Sequence, residues 1–255
     1  MAPSILQNLV QFTFSVAMFG MIAGCLFFAL QKNEVDRRFR GSMILSSCIL
    51  LVAAMNYFYM REVYAAGIAS GNPKFPTEYR YIDWVLTVPL MLVKFPSLLG
   101  MGRRGLQFLT MLVTLALLMI VTGFAGELSL ANKALHYGFF GIASVAWLLI
   151  VGLIYFALAE LPPQTPASTR TTIRRMAAFI LVGWAIYPVG YLLPSFGVAA
   201  DWRELIYNVG DLVNKVGLAM VVFLGAKQFD RETEAVAPVA ASAPPSVEVE
   251  NPFVA

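Results

Sequence analysis

The sequence predicts an all-α membrane protein, a seven-transmembrane helix bundle, and two features of its composition and pattern support this. Hydrophobic residues make up 59% of the chain and charged residues 13%, with a mean hydropathy of +0.72, unlike a soluble domain. Seven apolar runs of about 20 residues or more, each long enough to cross a bilayer, alternate with charged or turn-forming segments. A net charge of +3 gives no support for a nucleic-acid partner, and the single histidine excludes a multi-histidine metal site.

The predicted helices follow one another with short connections. They cover about 5–30, 42–64, 76–99, 106–126, 133–159, 170–193 and 203–227. The first run has no basic residue before it and is too long for the apolar part of a signal peptide, so it is predicted to be retained. Residues 1–231 form the predicted transmembrane domain. Residues 232–255, rich in Ala, Pro, Val and Glu, are predicted to be a disordered cytoplasmic tail.

The basic residues in the loops and near the ends of the predicted spans predict the orientation, with the N-terminus outside and the C-terminus in the cytoplasm. One side of the membrane would hold eleven of them: Lys32, Arg37, Arg38, Arg40, Arg103, Arg104, Arg170, Arg174, Arg175, Lys227 and Arg231. The other side would hold four: Arg61, Lys74, Lys133 and Arg203.

The last predicted span carries Asp211 and Lys215, four residues apart and therefore on one face of a helix. Each charge costs about 2.5–3.5 kcal/mol at the centre of a membrane helix, so such residues are kept for pairing or for chemistry. One explanation is a structural ion pair between helices. The other is that Lys215 carries a covalently bound aldehyde as a Schiff base, with Asp211 as a counter-charge.

The third predicted helix carries a line of polar residues, Arg80, Asp83, Thr87 and Lys94. Their spacing places them on one side of the helix, with Lys94 about 16 Å beyond Asp83. Arg80 and Lys215 would balance the charges of Asp83 and Asp211. Packing between helices, with Thr87 bonded to its own backbone, is the alternative for such a line.

Aromatic residues surround these charges in the sequence. Tyr81 and Trp84 flank Asp83, and the sixth predicted helix carries Trp184, Tyr187 and Tyr191 at helical spacing. Simple core packing explains such a stripe. A rigid box around a flat polyene explains it as well.

Three segments in order, RYIDWVLTVPL, GWAIYPVGY and LIYNVGDLVNK, resemble the microbial rhodopsins, and are most similar to proteorhodopsin-like proton pumps. The resemblance implies that Lys215 binds all-trans retinal as a protonated Schiff base. It implies that Asp83 is the counterion and proton acceptor, Asp211 the second counterion and Arg80 the extracellular gate.

The resemblance also assigns the walls of the retinal pocket, which would be Trp84, Met91, Trp184, Tyr187 and Tyr191. Met91 matches a spectral tuning position, where an apolar residue implies green rather than blue absorption. Thr87 and Tyr207 match further positions near the Schiff base.

Two positions depart from the usual pattern of this family. Lys94 stands where most relatives have a carboxylic donor, although a few carry lysine. Because burial disfavours charge, we expect Lys94 to be neutral at rest and to pass a cytoplasmic proton to the Schiff base; an interfacial anchor is the alternative. Asn56 replaces a histidine that bonds the counterion. Since Asn56 cannot titrate, we expect Asp83 to stay ionised, and pumping to persist, at acidic pH.

The predicted function is a light-driven outward proton pump, a transporter rather than an enzyme, in a bacterial inner membrane. Lipid and protons would be its partners, together with copies of itself in a homo-oligomer, a pentamer or trimer. A photosensory rhodopsin that signals to a membrane partner is the main alternative. A sodium or chloride pump and a retinal-free receptor or transporter are further alternatives. The resemblance implies that sodium and chloride pumps replace the aspartate–threonine pair of the third helix, which is present here as Asp83 and Thr87.

The remaining charged groups are predicted to be peripheral. Solvated positions at extracellular helix ends are expected for Glu62, Glu78, Glu127 and Glu204, with a proton-release role as the alternative for Glu78 and Glu204. His136 is expected to be exposed and incidental.

Overall fold

The computed structural model describes residues 3–72 and 75–241, and side-chain surroundings in these ranges up to residue 235. Within that part of the chain, seven helices are long and apolar enough to cross a membrane, which confirms the predicted all-α bundle. In order, the first to seventh helices are Ile5–Gln31, Arg37–Ala69, Thr77–Leu99, Gly102–Leu128, Lys133–Ala159, Ala167–Phe196 and Ala200–Ala241. The chain is a multi-pass membrane protein.

Polar residues and glycines set the helix ends. At the first helix, Ser4 accepts from the backbone N–H of Gln7, whose side chain accepts from the N–H of Ser4, a reciprocal cap. Asn132 caps the fifth helix by accepting from the N–H of Leu135 at 3.2 Å. Gly100, with φ +64°, ends the third helix in the left-handed region that favours glycine.

The helices pack side by side in chain order, and the seventh packs against the first and second, so that the bundle closes. The charged residues that the sequence places at depth point inward. Arg80, Asp83, Lys94, Asp211 and Lys215 are each at most 4% exposed. Large apolar side chains cover the outside of the helices, where a bilayer would meet them.

The sixth helix changes its winding along its length. It consists of α-helical Ala167–Ala178, π-helical Phe179–Gly183, α-helical Ile186–Leu192 and 3₁₀-helical Leu193–Phe196. Side chains of neighbouring helices bond carbonyls of the π turn: Trp147 donates to Ile180 and Asn214 to Gly183, both at 2.9 Å. A Cβ at Gly183 would lie 2.0 Å from the amide oxygen of Asn214, so this approach requires glycine. The wide turn lies beside the residue that precedes Lys215.

The seventh helix continues to Ala241, ten residues beyond the predicted domain boundary at 231. The described helix thus runs into the segment predicted to be a disordered tail, and the division at 231 stays a prediction. The composition of the segment includes helix-favouring Ala and Glu. In addition, Glu232 accepts from the backbone N–H of Ser168 at 3.1 Å and from its hydroxyl at 2.6 Å, which ties the extension to the sixth helix. Lys74 and the predicted tail from residue 242 onward lie outside the described residues.

Candidate functional site

Lys215 lies between two carboxylates in the centre of the bundle. Its Nζ is 2.9 Å from Oδ2 of Asp83 and 3.2 Å from Oδ1 of Asp211. The third helix supplies Asp83, and the seventh supplies Asp211 one turn before Lys215. The predicted pairing of these three residues across the bundle is therefore present in the structure.

The two carboxylates have unequal surroundings. Asp211 accepts from the hydroxyl of Tyr57 at 2.8 Å, from the hydroxyl of Tyr187 at 2.6 Å and from the indole N–H of Trp84 at 3.2 Å. Neither oxygen of Asp83 has a hydrogen-bond donor in the described part of the chain. The partner of Asp83 is the amine of Lys215, in an ion pair at 2.9 Å. Donors to a carboxylate favour its ionised form, so Asp211 is the more firmly held anion.

Arg80 is fully buried, and its carboxylate partner is Glu204. Its Nη2 donates to Glu204 at 2.7 Å and to Asn208 at 2.7 Å, and its Nη1 donates to the hydroxyl of Tyr57 at 3.0 Å. The charges of Arg80 and Asp211 meet through one hydroxyl rather than in a direct ion pair. Tyr57 is the link, because it accepts from Arg80 and donates to Asp211.

Glu204 also belongs to a second ion pair. Arg203 lies 3.3 Å from Glu204 and 3.3 Å from Glu127, and both Arg203 and Glu204 contact Thr77. Glu127 and Glu204 are 5% and 1% exposed, so the predicted solvated position is wrong for both. Alternating charges thus run from the Lys215 site to the end of the fourth helix.

Two polar residues of this region, Asn56 and Thr87, bond backbone carbonyls rather than the carboxylate of Asp83. The amide of Asn56 donates to the carbonyl of Tyr79 at 3.4 Å, so a hydrogen bond from Asn56 to Asp83 is absent among the described contacts. Asn56 faces the turn that opens the third helix instead. The hydroxyl of Thr87 donates at 2.9 Å to the backbone carbonyl of Asp83, which is the local bond considered as the alternative.

Lys94 is buried at the other end of the third helix, with 1% of its surface exposed. Its Nζ donates to the hydroxyl of Ser46 at 2.8 Å, and that hydroxyl donates to the carbonyl of Ser42 at 2.8 Å. Within the described residues, Lys94 forms no ion pair. This burial excludes the alternative in which Lys94 reaches the membrane surface as an anchor.

A mainly apolar cavity lies between the third, fourth, fifth, sixth and seventh helices, and Lys215 is one of its lining residues. It encloses about 820 Å³ of space free of protein atoms, its open mouth included. Its walls include every predicted pocket residue, namely Trp84, Met91, Trp184, Tyr187 and Tyr191, together with Tyr207. Phe140, Trp147 and Asn214 line it as well.

Of three further residues of the site, the sequence did not indicate Tyr57 and Asn208, and it gave Glu204 a role only as the alternative to a solvated position. A signal for two of them exists in the seventh helix, because Glu204, Asn208, Asp211 and Lys215 follow spacings of four, three and four. Tyr57 is one of many aromatic residues in apolar runs. Nothing in its sequence context separates it from core packing.

The comparisons with known proteins agree with this architecture. The sequence model of the family described as bacteriorhodopsin-like protein matches residues 8–229. The blue-light absorbing proteorhodopsin of Gamma-proteobacterium Hot 75m4 is 33% identical over 224 residues, which are 86% of each chain.

Solved structures also resemble this chain over most of its length. The crystal structure of Exiguobacterium sibiricum rhodopsin has 38% identity and a TM-score of 0.74, covering 86% of this chain and 96% of that one. Xanthorhodopsin, described as a light-driven ion pump with a dual chromophore, has 25% identity and a TM-score of 0.80, covering 90% and 96%. The matching sequence model, the seven helices and the cavity lined by the buried Lys215 agree with one another. This chain belongs to the bacteriorhodopsin-like family, the microbial rhodopsins, whose cofactor is all-trans retinal.

Proposed function

We propose that this protein is a light-driven pump that moves protons outward across a bacterial inner membrane. The observation that carries the proposal is the unequal treatment of the two carboxylates at Lys215. Asp211 is held by hydrogen-bond donors, whereas the oxygens of Asp83 have none among the described residues. A site with one anion held by three hydrogen-bond donors and a second carboxylate held by its ion pair with the amine suits proton transfer in one direction.

The cavity at Lys215 fits the family's cofactor. Its walls are mainly aromatic and apolar, as is typical of ligand pockets, and Lys215 is the amine among its lining residues. Lys215 would hold all-trans retinal through Nζ, with Trp84, Met91, Trp184, Tyr187 and Tyr191 around it. When bound, the retinal supplies light absorption and a light-driven change of shape.

Asp83 is the proposed acceptor of the proton from Nζ of Lys215. The 2.9 Å contact to Nζ allows transfer without a large movement. Asp211 stays the counter-charge, because Tyr57, Tyr187 and Trp84 continue to donate to it.

Arg80 is the proposed gate on the extracellular side. Tyr57 connects it to Asp211, so a change of charge at Lys215 is transmitted to Arg80 through one hydroxyl. Glu204 binds Arg80 at the extracellular side. Protonation of Asp83 would remove a negative charge that attracts Arg80 in the direction of Lys215. Movement of Arg80 then allows a proton to leave outward.

Lys94 is the proposed carrier of the returning proton. A buried amine without a carboxylate partner in the described residues is more stable neutral than charged, so it has a free lone pair for a cytoplasmic proton. It then passes that proton in the direction of Nζ of Lys215. Movement from the cytoplasm to Lys94, then Lys215, then Asp83 gives the outward direction.

We also propose that pumping persists in acid. Asp83 faces the cation of Lys215 at 2.9 Å, and Asn56 offers no titrating partner. Protonation of Asp83 in the dark should therefore require a pH well below neutral, and the absorption band should move to the red there. A titration in which that shift occurs near neutral pH contradicts this part of the proposal.

Cells that express the chain with added retinal test the pump directly. Illumination should acidify the medium, and a protonophore should abolish the change. Lys215→Ala should remove both the visible colour and the acidification. If light leaves the external pH of the wild type unchanged and the photocycle is slow, the protein is a photosensor and the proposal is wrong. The homo-oligomer, pentamer or trimer, stays a prediction that cross-linking in the membrane would test.

A further inference from the structure

His136, the single histidine of the sequence, lies against the wall of the cavity rather than on the surface. It is 5% exposed, so the expectation of an exposed and incidental residue is wrong. Its ring stacks on that of Tyr191, with centroids 4.5 Å apart and planes inclined by 14°. Tyr191 lines the cavity and is 5% exposed. His136 therefore backs a side chain that faces the cofactor space.

The hydrogen bonds fix which nitrogen of His136 carries hydrogen. Nδ1 lies 2.9 Å from the carbonyl oxygen of Gly126, which can only accept, so Nδ1 must donate. The hydroxyl of Tyr191 lies 2.9 Å from the same Nδ1 and donates to the backbone carbonyl of His136 at 3.1 Å. Nδ1 bears hydrogen whether or not the imidazole is charged.

These bonds connect three helices beside the cavity. Gly126 belongs to the last turn of the fourth helix, where its carbonyl also accepts from the backbone N–H of Ser129 at 3.1 Å, and His136 lies in the first turn of the fifth. Tyr191 comes from the sixth, and Phe140 stacks on its ring at 5.1 Å. A Cβ at Gly126 would lie 2.1 Å from the hydroxyl of Tyr191, so glycine is required for this arrangement. The position of Tyr191 is thus set by its neighbours from two other helices.

We propose that His136 is a positioning residue of the cofactor cavity, which holds the ring of Tyr191 in place through its Nδ1–H bond to Gly126. The inference rests on the proposed binding of retinal in this cavity. It assigns His136 no contact with the cofactor and no proton transfer. The imidazole acts through Tyr191.

Nitrogen NMR of protein labelled with [¹⁵N]histidine tests the hydrogen bond. Its signals need no assignment to a residue, because the chain has one histidine. Nδ1 should carry hydrogen in the dark, both in the pigment and in the protein purified without retinal. A bare Nδ1 in both preparations would overturn the inference. If the wild type forms no pigment, the proposed function is wrong, while the retinal-free preparation still reports on His136.

Two variants separate the hydrogen bond from the stacking. His136→Phe keeps a flat ring and loses the donor, whereas His136→Asn keeps a donor near the position of Nδ1 and loses the ring. For His136→Phe we expect a shifted dark absorption maximum and bleaching by hydroxylamine about 2- to 10-fold faster, the effect of one hydrogen bond. His136→Asn should lie between His136→Phe and the wild type.

Tyr137→Phe is the matched control on the neighbouring residue. Its hydroxyl bonds Ser195 at 2.9 Å at an exposed position, so both readouts should stay at the wild-type values. Gly126→Ala, which displaces the hydroxyl of Tyr191, should reproduce the effect of His136→Phe. If His136→Phe only lowers thermal stability and leaves the absorption maximum and the bleaching rate unchanged, the residue is merely structural and the inference is wrong.

Discussion

The third helix buries a cation at each end, and the two cations differ in their charge and hydrogen-bond partners. Arg80 has a carboxylate partner in Glu204, an amide partner in Asn208 and a hydroxyl partner in Tyr57. Lys94 has one hydroxyl, that of Ser46, and no ion pair in the described part of the chain. Both side chains are at most 1% exposed.

This difference explains how one helix serves two tasks. A guanidinium is always protonated, and with a buried carboxylate beside it the charge is permanent. An amine without a carboxylate is more stable neutral in a dry site, so it can take up a proton and lose it again. A fixed charge suits a gate, whereas a changing charge suits a proton carrier.

Among the variants that test this comparison, Glu204→Ala should have the largest effect, on the stability of the fold. Removal of one partner of a buried pair leaves Arg80 uncompensated, which costs about 3–5 kcal/mol of folding free energy. Thermal loss of the visible band measures it. Glu62→Ala is the control, since Glu62 pairs with Arg61 at the surface with 54% of its side chain exposed, and should cost at most about 1 kcal/mol. Equal stability of the two variants would contradict the buried pair.

Lys94→Ala should have the next largest effect, on kinetics rather than stability. Without the carrier, the return of the proton from the cytoplasm should slow by about 100-fold, the usual contribution of a positioned acid or base. Flash photolysis of the ground-state recovery measures the rate. Unchanged recovery kinetics would remove Lys94 from the proton path. Because no carboxylate depends on Lys94 in the described residues, Lys94→Met should keep the stability of the wild type.

Glu127→Gln should cost less than Glu204→Ala, about 1–3 kcal/mol. Arg203 keeps Glu204 as a second carboxylate at 3.3 Å, so its charge is still compensated. The same thermal assay measures the change. A loss as large as that of Glu204→Ala would mean that Glu127, rather than Glu204, is the main anchor of this cluster.

Ser46→Ala should give the smallest effect, about 0.5–1.5 kcal/mol or a 2- to 10-fold slower recovery, the value of one hydrogen bond. Ser47→Ala is the matched control on the same helix, because its hydroxyl bonds the backbone of Met43 and does not meet Lys94. Ser46→Thr should restore the wild-type rate. Equal recovery in Ser46→Ala and Ser47→Ala would show that Ser46 does not position Lys94.

The sequence by itself determined the seven spans, the line of polar residues on the third helix and the pairing of Asp211 with Lys215. These follow from apolar run length and from helical spacing, which act along one chain segment. The three family segments added the cofactor and its lysine. They also assigned the cavity walls, which the aromatic residues at helical spacing alone left open to simple core packing.

Only the tertiary structure decided which groups meet between helices. Glu204 looked like a surface residue because it lies near a helix end, yet the rotation of the seventh helix turns it to Arg80. Asn56 faces the carbonyl of Tyr79 rather than Asp83, and His136 faces Tyr191. Spacing shows which residues share a face of one helix, but the direction of that face depends on how all seven helices pack together.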